Sequence, residues 1–187
     1  MNIFIKFLII LLFLGQILPF FGQNWFHENV VNLFSALDKR QYKIIYLSAR
    51  SICQVDTTRN FLRNVKQNSS ILPKGPILLN PNQLFSAFQT ECIYKRFDEK
   101  LISLENIRSL FGQKNYPFFA GFGNRLNDAN TYKMININQS KIFIINSNGE
   151  MNETDKGKLS YSLILEKISE FFPNITHETC LVEPLFD

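Results

Sequence analysis

The chain has 187 residues, is 45% hydrophobic and 19% charged, and is long enough for one domain with a real core. Its net charge of +4 suits an anionic substrate or membrane surface, and no basic block with interleaved aromatics points to nucleic acid. Three widely spaced cysteines (Cys53, Cys92, Cys180) and two histidines argue against a disulfide framework, a zinc site or a histidine-rich metal centre, and read as reduced thiols packed in a cytosolic core.

Residues 3–21 are almost wholly apolar and carry three readings. The first is a secretory signal peptide, with Lys6 as its positive region but bulky residues where a small-residue cleavage site belongs. Four N-x-S/T sequons (Asn68, Asn138, Asn152, Asn174) would suit that reading and a lumenal protein. The second is a membrane anchor over residues 1–22, interrupted by Lys6, Gln16 and Pro19. The third rests on codons: from Asn2 to Leu14 only Asn, Ile, Phe, Lys and Leu occur, all encodable by A and T alone, as in a translated intron of an A/T-rich genome. The third fits best, which divides the chain into an apolar segment 1–13 and a domain 14–187.

The elements then follow in order. Trp25–Leu37 reads as an amphipathic helix and Lys43–Leu47 as a short strand buried on both faces, broken by Ser48-Ala49-Arg50-Ser51. Helical periodicity returns over Ile52–Val65 and ends at a turn cluster, Pro73–Pro76. Ile77–Leu79 reads as a strand, Asn82–Thr90 as a short helix, and Ile102–Phe111 as a helix with Ser103 as its cap. Phe118–Phe122 is a strand stopped by Gly123, Asp128–Met134 a helix, Lys141–Ile145 a strand, Asn146–Gly149 a tight turn and Tyr161–Phe172 the last helix. Strands alternating with helices imply a single α/β domain, a Rossmann-like parallel sheet with helices on both faces.

Two corners concentrate chemistry. Ser48, at the end of a buried strand, can aim a hydroxyl at an anion, or simply cap the helix that follows. In Gly123-Asn124-Arg125-Leu126-Asn127-Asp128, the glycine lets backbone approach a ligand, and Asn124 and Asp128 both offer oxygen to a hard cation such as Mg²⁺. Taken alone, that second corner reads more simply as an ordinary loop followed by an Asx cap.

The strings LGQILPFFGQNW, YKIIYLSARSICQVDTTRNFL, LPKGPILLNPNQLFSA and FGNRLNDANTYK stand in an order and spacing that resemble the catalytic domain of lipins, the Mg²⁺-dependent phosphatidate phosphatases of the haloacid dehalogenase superfamily. The resemblance runs from about Leu14 to Ile145. It implies a haloacid dehalogenase-like fold and hydrolysis of phosphatidate to diacylglycerol and phosphate, a step of glycerolipid metabolism. It also implies a cytoplasmic protein peripheral to the endoplasmic reticulum membrane, with no nucleotide cofactor. Ser48 is similar to the hydroxyl that hydrogen-bonds the transferring phosphoryl group. Lys95 is similar to the cation that offsets charge there, with Lys74 and Arg96 as competitors. Asn124 and Asp128 are similar to the Mg²⁺ ligands, and Arg50, Arg59 and Arg125 are candidate phosphate forks.

One departure stands against this likeness. In lipins the string equivalent to Leu14–Pro19 closely follows a strand ending in Asp-x-Asp-x-Thr, whose first Asp attacks phosphorus and whose second serves as general acid and base. Here the first acidic residue is Glu28. The resemblance therefore implies a chain without the family's nucleophile, either catalytically silent or a phosphatidate-binding module. The family's first strand is missing, or residues 3–13 replace it as a strand or dock elsewhere as a helix.

Overall fold

The computed structural model describes residues 6–11, 27–80, 92–112, 116–154 and 157–175. Its centre is a five-stranded sheet in the order β5-β2-β1-β6-β7, made of β1 (Phe7–Leu11), β2 (Lys43–Ser51), β5 (Ile77–Asn80), β6 (Phe118–Gly123) and β7 (Ile142–Ile144). Every pairing within it is parallel.

The apolar N-terminal segment supplies the central strand. Leu8 and Ile9 are completely buried and Ile10 nearly so. A strand in the middle of a covered parallel sheet needs apolar side chains on both faces, which a continuous run such as FLIIL provides. Leu8 and Ile10 pack into one core with Tyr46, Phe34 and Phe122, while Ile9 packs into the other with Ile45, Leu47 and Tyr132. The two cores are the two faces of one sheet, separated by strand alternation.

The first core lies under α1 (Val30–Lys39) and α5 (Tyr161–Glu166). Leu104 of α3 (Cys92–Ser109) and Tyr132 of α4 (Leu126–Met134) cover the second. The C-terminal end is fastened to the sheet through main-chain oxygens. Lys141 Nζ donates to Phe171 O at 2.5 Å among the rings of Phe119, Phe171 and Phe172, and Tyr42 Oη donates to Pro173 O at 2.8 Å.

The sequence expectations are met by strand and helix type and amended at several ends. The helix expected from Trp25 begins at Val30, preceded by Asn29 in the left-handed region. A three-residue 3-10 turn at Ile52–Gln54 precedes α2 (Val55–Asn64). Ser103 is not a cap, because α3 already runs from Cys92 and places it in the interior. The last helix divides at Lys167 into α5 and α6 (Ile168–Phe171).

Two small hairpins were not expected: β3 (Lys66–Gln67) with β4 (Ser70–Ile71), and β8 (Glu150–Thr154) with β9 (Gly157–Ser160). Cys53 is exposed, against the expectation of a packed thiol. The helix expected over Asn82–Thr90 lies outside the described residues.

Candidate functional site

The two candidate corners lie at the carboxyl ends of β2 and β6, the strands on either side of β1. Ile10 is paired with Tyr46 on one side and Phe122 on the other. Ser48 and Asn124 each lie two residues further on. The two positions therefore lie just past the paired segments on either side of β1.

The Ser48 corner is a bulge rather than the strand end expected from the sequence. From Leu47 to Ser51, β2 advances four residues while β5 advances two, from Leu78 to Asn80. The surplus residues buckle out of the pairing, and bulges of this kind re-aim side chains. Ser48 is 3% exposed, and its Oγ accepts the Arg50 backbone N–H at 3.2 Å. That bond locks the bulge and leaves the hydroxyl hydrogen to be donated.

Arg50 is itself buried, at 9% exposed, and its Nη1 donates to Thr58 Oγ1 of α2 at 3.4 Å. Burial pushes its pKa down. Among the described residues it forms no ion pair. A buried guanidinium without a carboxylate is a ready partner for an anion.

The second corner is built around Asp128, 1% exposed in the third position of α4. Its Oδ2 accepts the backbone N–H groups of Arg125 at 3.0 Å and Asn124 at 3.2 Å. Its Oδ1 accepts Lys100 Nζ at 2.9 Å. Asn124 and Asp128 therefore meet through the turn that opens the helix, not by sharing a helical face as the sequence suggested.

Gly123 permits this closure. A Cβ there would lie 2.7 Å from Asp128 Cβ, so any side chain would push α4 off β6. Asn124 Oδ1 is buried and accepts no hydrogen bond. A buried oxygen without a donor beside a carboxylate fits a hard cation that takes one or two protein oxygens and completes its shell with water and phosphate.

The remaining candidates divide. Arg59 is held in an exposed ion pair with Asp56 at 2.9 Å on α2. Arg125 contributes its backbone, while its side chain is exposed. Lys74 lies in the turn before β5, and the side chains of Lys95 and Arg96 lie outside the described residues. The cation that does reach the second corner is Lys100, which sequence reasoning missed. Its signal was present in the sequence: Lys100 follows Lys95 and Arg96 closely in a continuous helix.

Among the described residues, no group of three or more His, Cys, Asp or Glu could hold a metal, and no helix is long and apolar enough to cross a membrane.

A five-stranded parallel sheet flanked by helices, with a hydroxyl, a guanidinium and a carboxylate–amide corner near its strand ends, is consistent with the Rossmann-like fold of the haloacid dehalogenase-like class. The family profile described as LNS2 (Lipin/Ned1/Smp2) matches residues 12–173, and the chain belongs to that family. It is 42% identical over 173 residues to phosphatidate phosphatase PAH1 of Arabidopsis thaliana, covering 91% of this chain. It is 40% identical to phosphatidic acid phosphohydrolase 1 of Saccharomyces cerevisiae over 87% of this chain, and 40% identical to human phosphatidate phosphatase LPIN2 over 88%. The chain spans only about a fifth of those relatives: 19% of the first, 21% of the second and 19% of the third.

Proposed function

We propose that this chain is a lipin-type domain that recognises the phosphomonoester of phosphatidate, the lipid that appears in the phosphatase and phosphohydrolase names of its relatives, in a family reaction that yields diacylglycerol and phosphate. The buried Arg50 guanidinium, without a carboxylate partner among the described residues and joined through its backbone to Ser48, is the observation that carries this reading. In the bound state the Ser48 hydroxyl donates to one phosphoryl oxygen and Arg50 offsets the charge. Asn124 and Asp128 would hold Mg²⁺, which supplies charge neutralisation on the phosphate. Lys95, Arg59 and Arg125 are secondary candidates for the same charge.

The headgroup reaches such a pocket only at a membrane surface. Two side chains support peripheral docking there. Ile52 and Leu126, each directly following a corner of the site, are 53% and 79% exposed. A cytoplasmic position peripheral to the endoplasmic reticulum membrane is part of the same proposal and rests on the family resemblance.

Hydrolysis is a separate matter. The central strand is FLIIL, and no Asp or Glu precedes Glu28. The family's acidic nucleophile has no counterpart in the sequence from Met1 to His27, and the reading proposed is that the residues present bind the headgroup without cleaving it. The test is twofold. Co-sedimentation with vesicles is expected to rise with phosphatidate content and to fall in Ser48→Ala; binding indifferent to phosphatidate would refute recognition. Phosphate release from phosphatidate with Mg²⁺ is expected to stay at background, and Mg²⁺-dependent release would refute the silent reading alone.

A further inference from the structure

We propose that the Lys100 ammonium is a built-in counter-cation of Asp128, standing in the charge position of the divalent ion, so that an ion enters only as the ammonium leaves. This deepens the cation site proposed above and rests on it.

The argument begins with the burial of Asp128. A carboxylate at 1% exposure requires compensation from fixed partners. Its Oδ2 is committed to two backbone N–H groups whose positions are set by the turn into α4. Those donors cannot move without unwinding the helix start. Its Oδ1 is held by one partner of a different kind, Lys100 Nζ at 2.9 Å. Lys100 arrives from a separate helix on a flexible four-carbon stem, and its side chain retains 16% exposure. It is the one partner of Asp128 that can withdraw toward water at little cost to the fold.

The ammonium also leaves the corner incompletely satisfied. Lysine has three donors, yet Asn124 Oδ1, on the residue whose backbone N–H touches Asp128, is buried and receives none. A small hard ion could take both oxygens, whereas the ammonium takes one. The ion and the ammonium cannot both sit on Oδ1 without repelling each other. Lys100 thus sets the affinity of the corner for divalent cations by competition, and removing it exposes a stronger site.

The experiment uses the full chain and Mn²⁺ alone as the probe, following free Mn²⁺ by electron paramagnetic resonance. Lys100→Met is expected to bind Mn²⁺ at least about tenfold more tightly than the parent chain. Lys100→Arg, which keeps the charge, is expected to remain close to the parent. Asp128→Asn is expected to lose the binding. A second readout guards against loss of stability in the variant: Mn²⁺ is expected to raise the melting temperature of Lys100→Met more than that of the parent. If the parent binds Mn²⁺ and Lys100→Met binds it no more tightly, the counter-cation role is wrong while the cation site stands. If neither binds, the cation site and this proposal fall together, leaving phosphatidate recognition to be judged by the vesicle assay.

Discussion

Asp128 does two jobs that sequence inspection treats as rivals. It caps a helix, by accepting the Asn124 and Arg125 N–H groups, and it presents a carboxylate at the mouth of the sheet. The cap is what makes the carboxylate rigid. Asp128→Asn keeps much of the shape but loses the charge that holds Lys100. Breaking that largely buried pair is expected to cost about 1–3 kcal/mol in urea unfolding. The glycines behind it are equally constrained. A Cβ on Gly121 would fall 2.5 Å from the Tyr132 ring, whose hydroxyl donates to Phe122 O at 2.8 Å. Gly121→Ala is expected to destabilise by about 1–3 kcal/mol, read by thermal unfolding, because ring and strand must part. Asn124 and Asp128 were legible as a pair from their spacing. Lys100 was not singled out, because its meaning depends on a helix that passes the site 28 residues earlier in the chain.

Among the elements, β1 has the largest consequence. Its residues belong to the apolar segment that the sequence offered as a replacement for the family's first strand, and they form the middle of the sheet, between β2 and β6. Leu8→Ala is expected to cost about 2–5 kcal/mol, since Leu8 is fully buried, whereas Leu110→Ala, at 81% exposed, is expected to stay within about 0.5 kcal/mol. Denaturant melts of the two variants make the comparison, and equal losses would mean that β1 is not part of the folded core. The strands of the main sheet were legible because they are continuous apolar runs. The hairpins were not. β3 and β4 have two residues each, too few to display alternation, and Asn68 at φ 51° makes their turn without a glycine to announce it. The early start of α3 was hidden for another reason. Its first turns, CIYKRFDEK, lack a clear apolar stripe.

At the scale of the whole molecule, His27 ties distant parts of the chain together. Its ring stacks on Tyr161 with centroids 6.1 Å apart, its carbonyl accepts from Gln67 Nε2 at 2.7 Å, and a Cβ on Gly149 would strike its Nδ1. Burial lowers the His27 pKa below its usual 6.5. The unfolded chain therefore takes up a proton at higher pH than the folded one. Stability is expected to decline as pH falls through about 6.5 toward the lower folded value, then to level off for this group once both states are protonated. Urea unfolding across pH 5 to 8 would display that slope, and His27→Gln should flatten it; an unchanged slope would assign the pH dependence to other groups.

What the amino-acid sequence determined alone was the class of fold, the order of its main strands and helices, and the two corners where hydroxyl-, cation- and oxygen-bearing residues gather. These are encoded locally, in apolar runs, their interruptions and short strings of fixed spacing. Tertiary structure decided the rest: that Phe7–Leu11 fills the central slot, that Ser48 sits in a bulge, that Arg50 is buried with no carboxylate partner among the described residues and that Lys100 meets Asp128. Each of these depends on which segments become neighbours, and that is settled by burying apolar surface across the whole chain, not by the preferences of any one stretch.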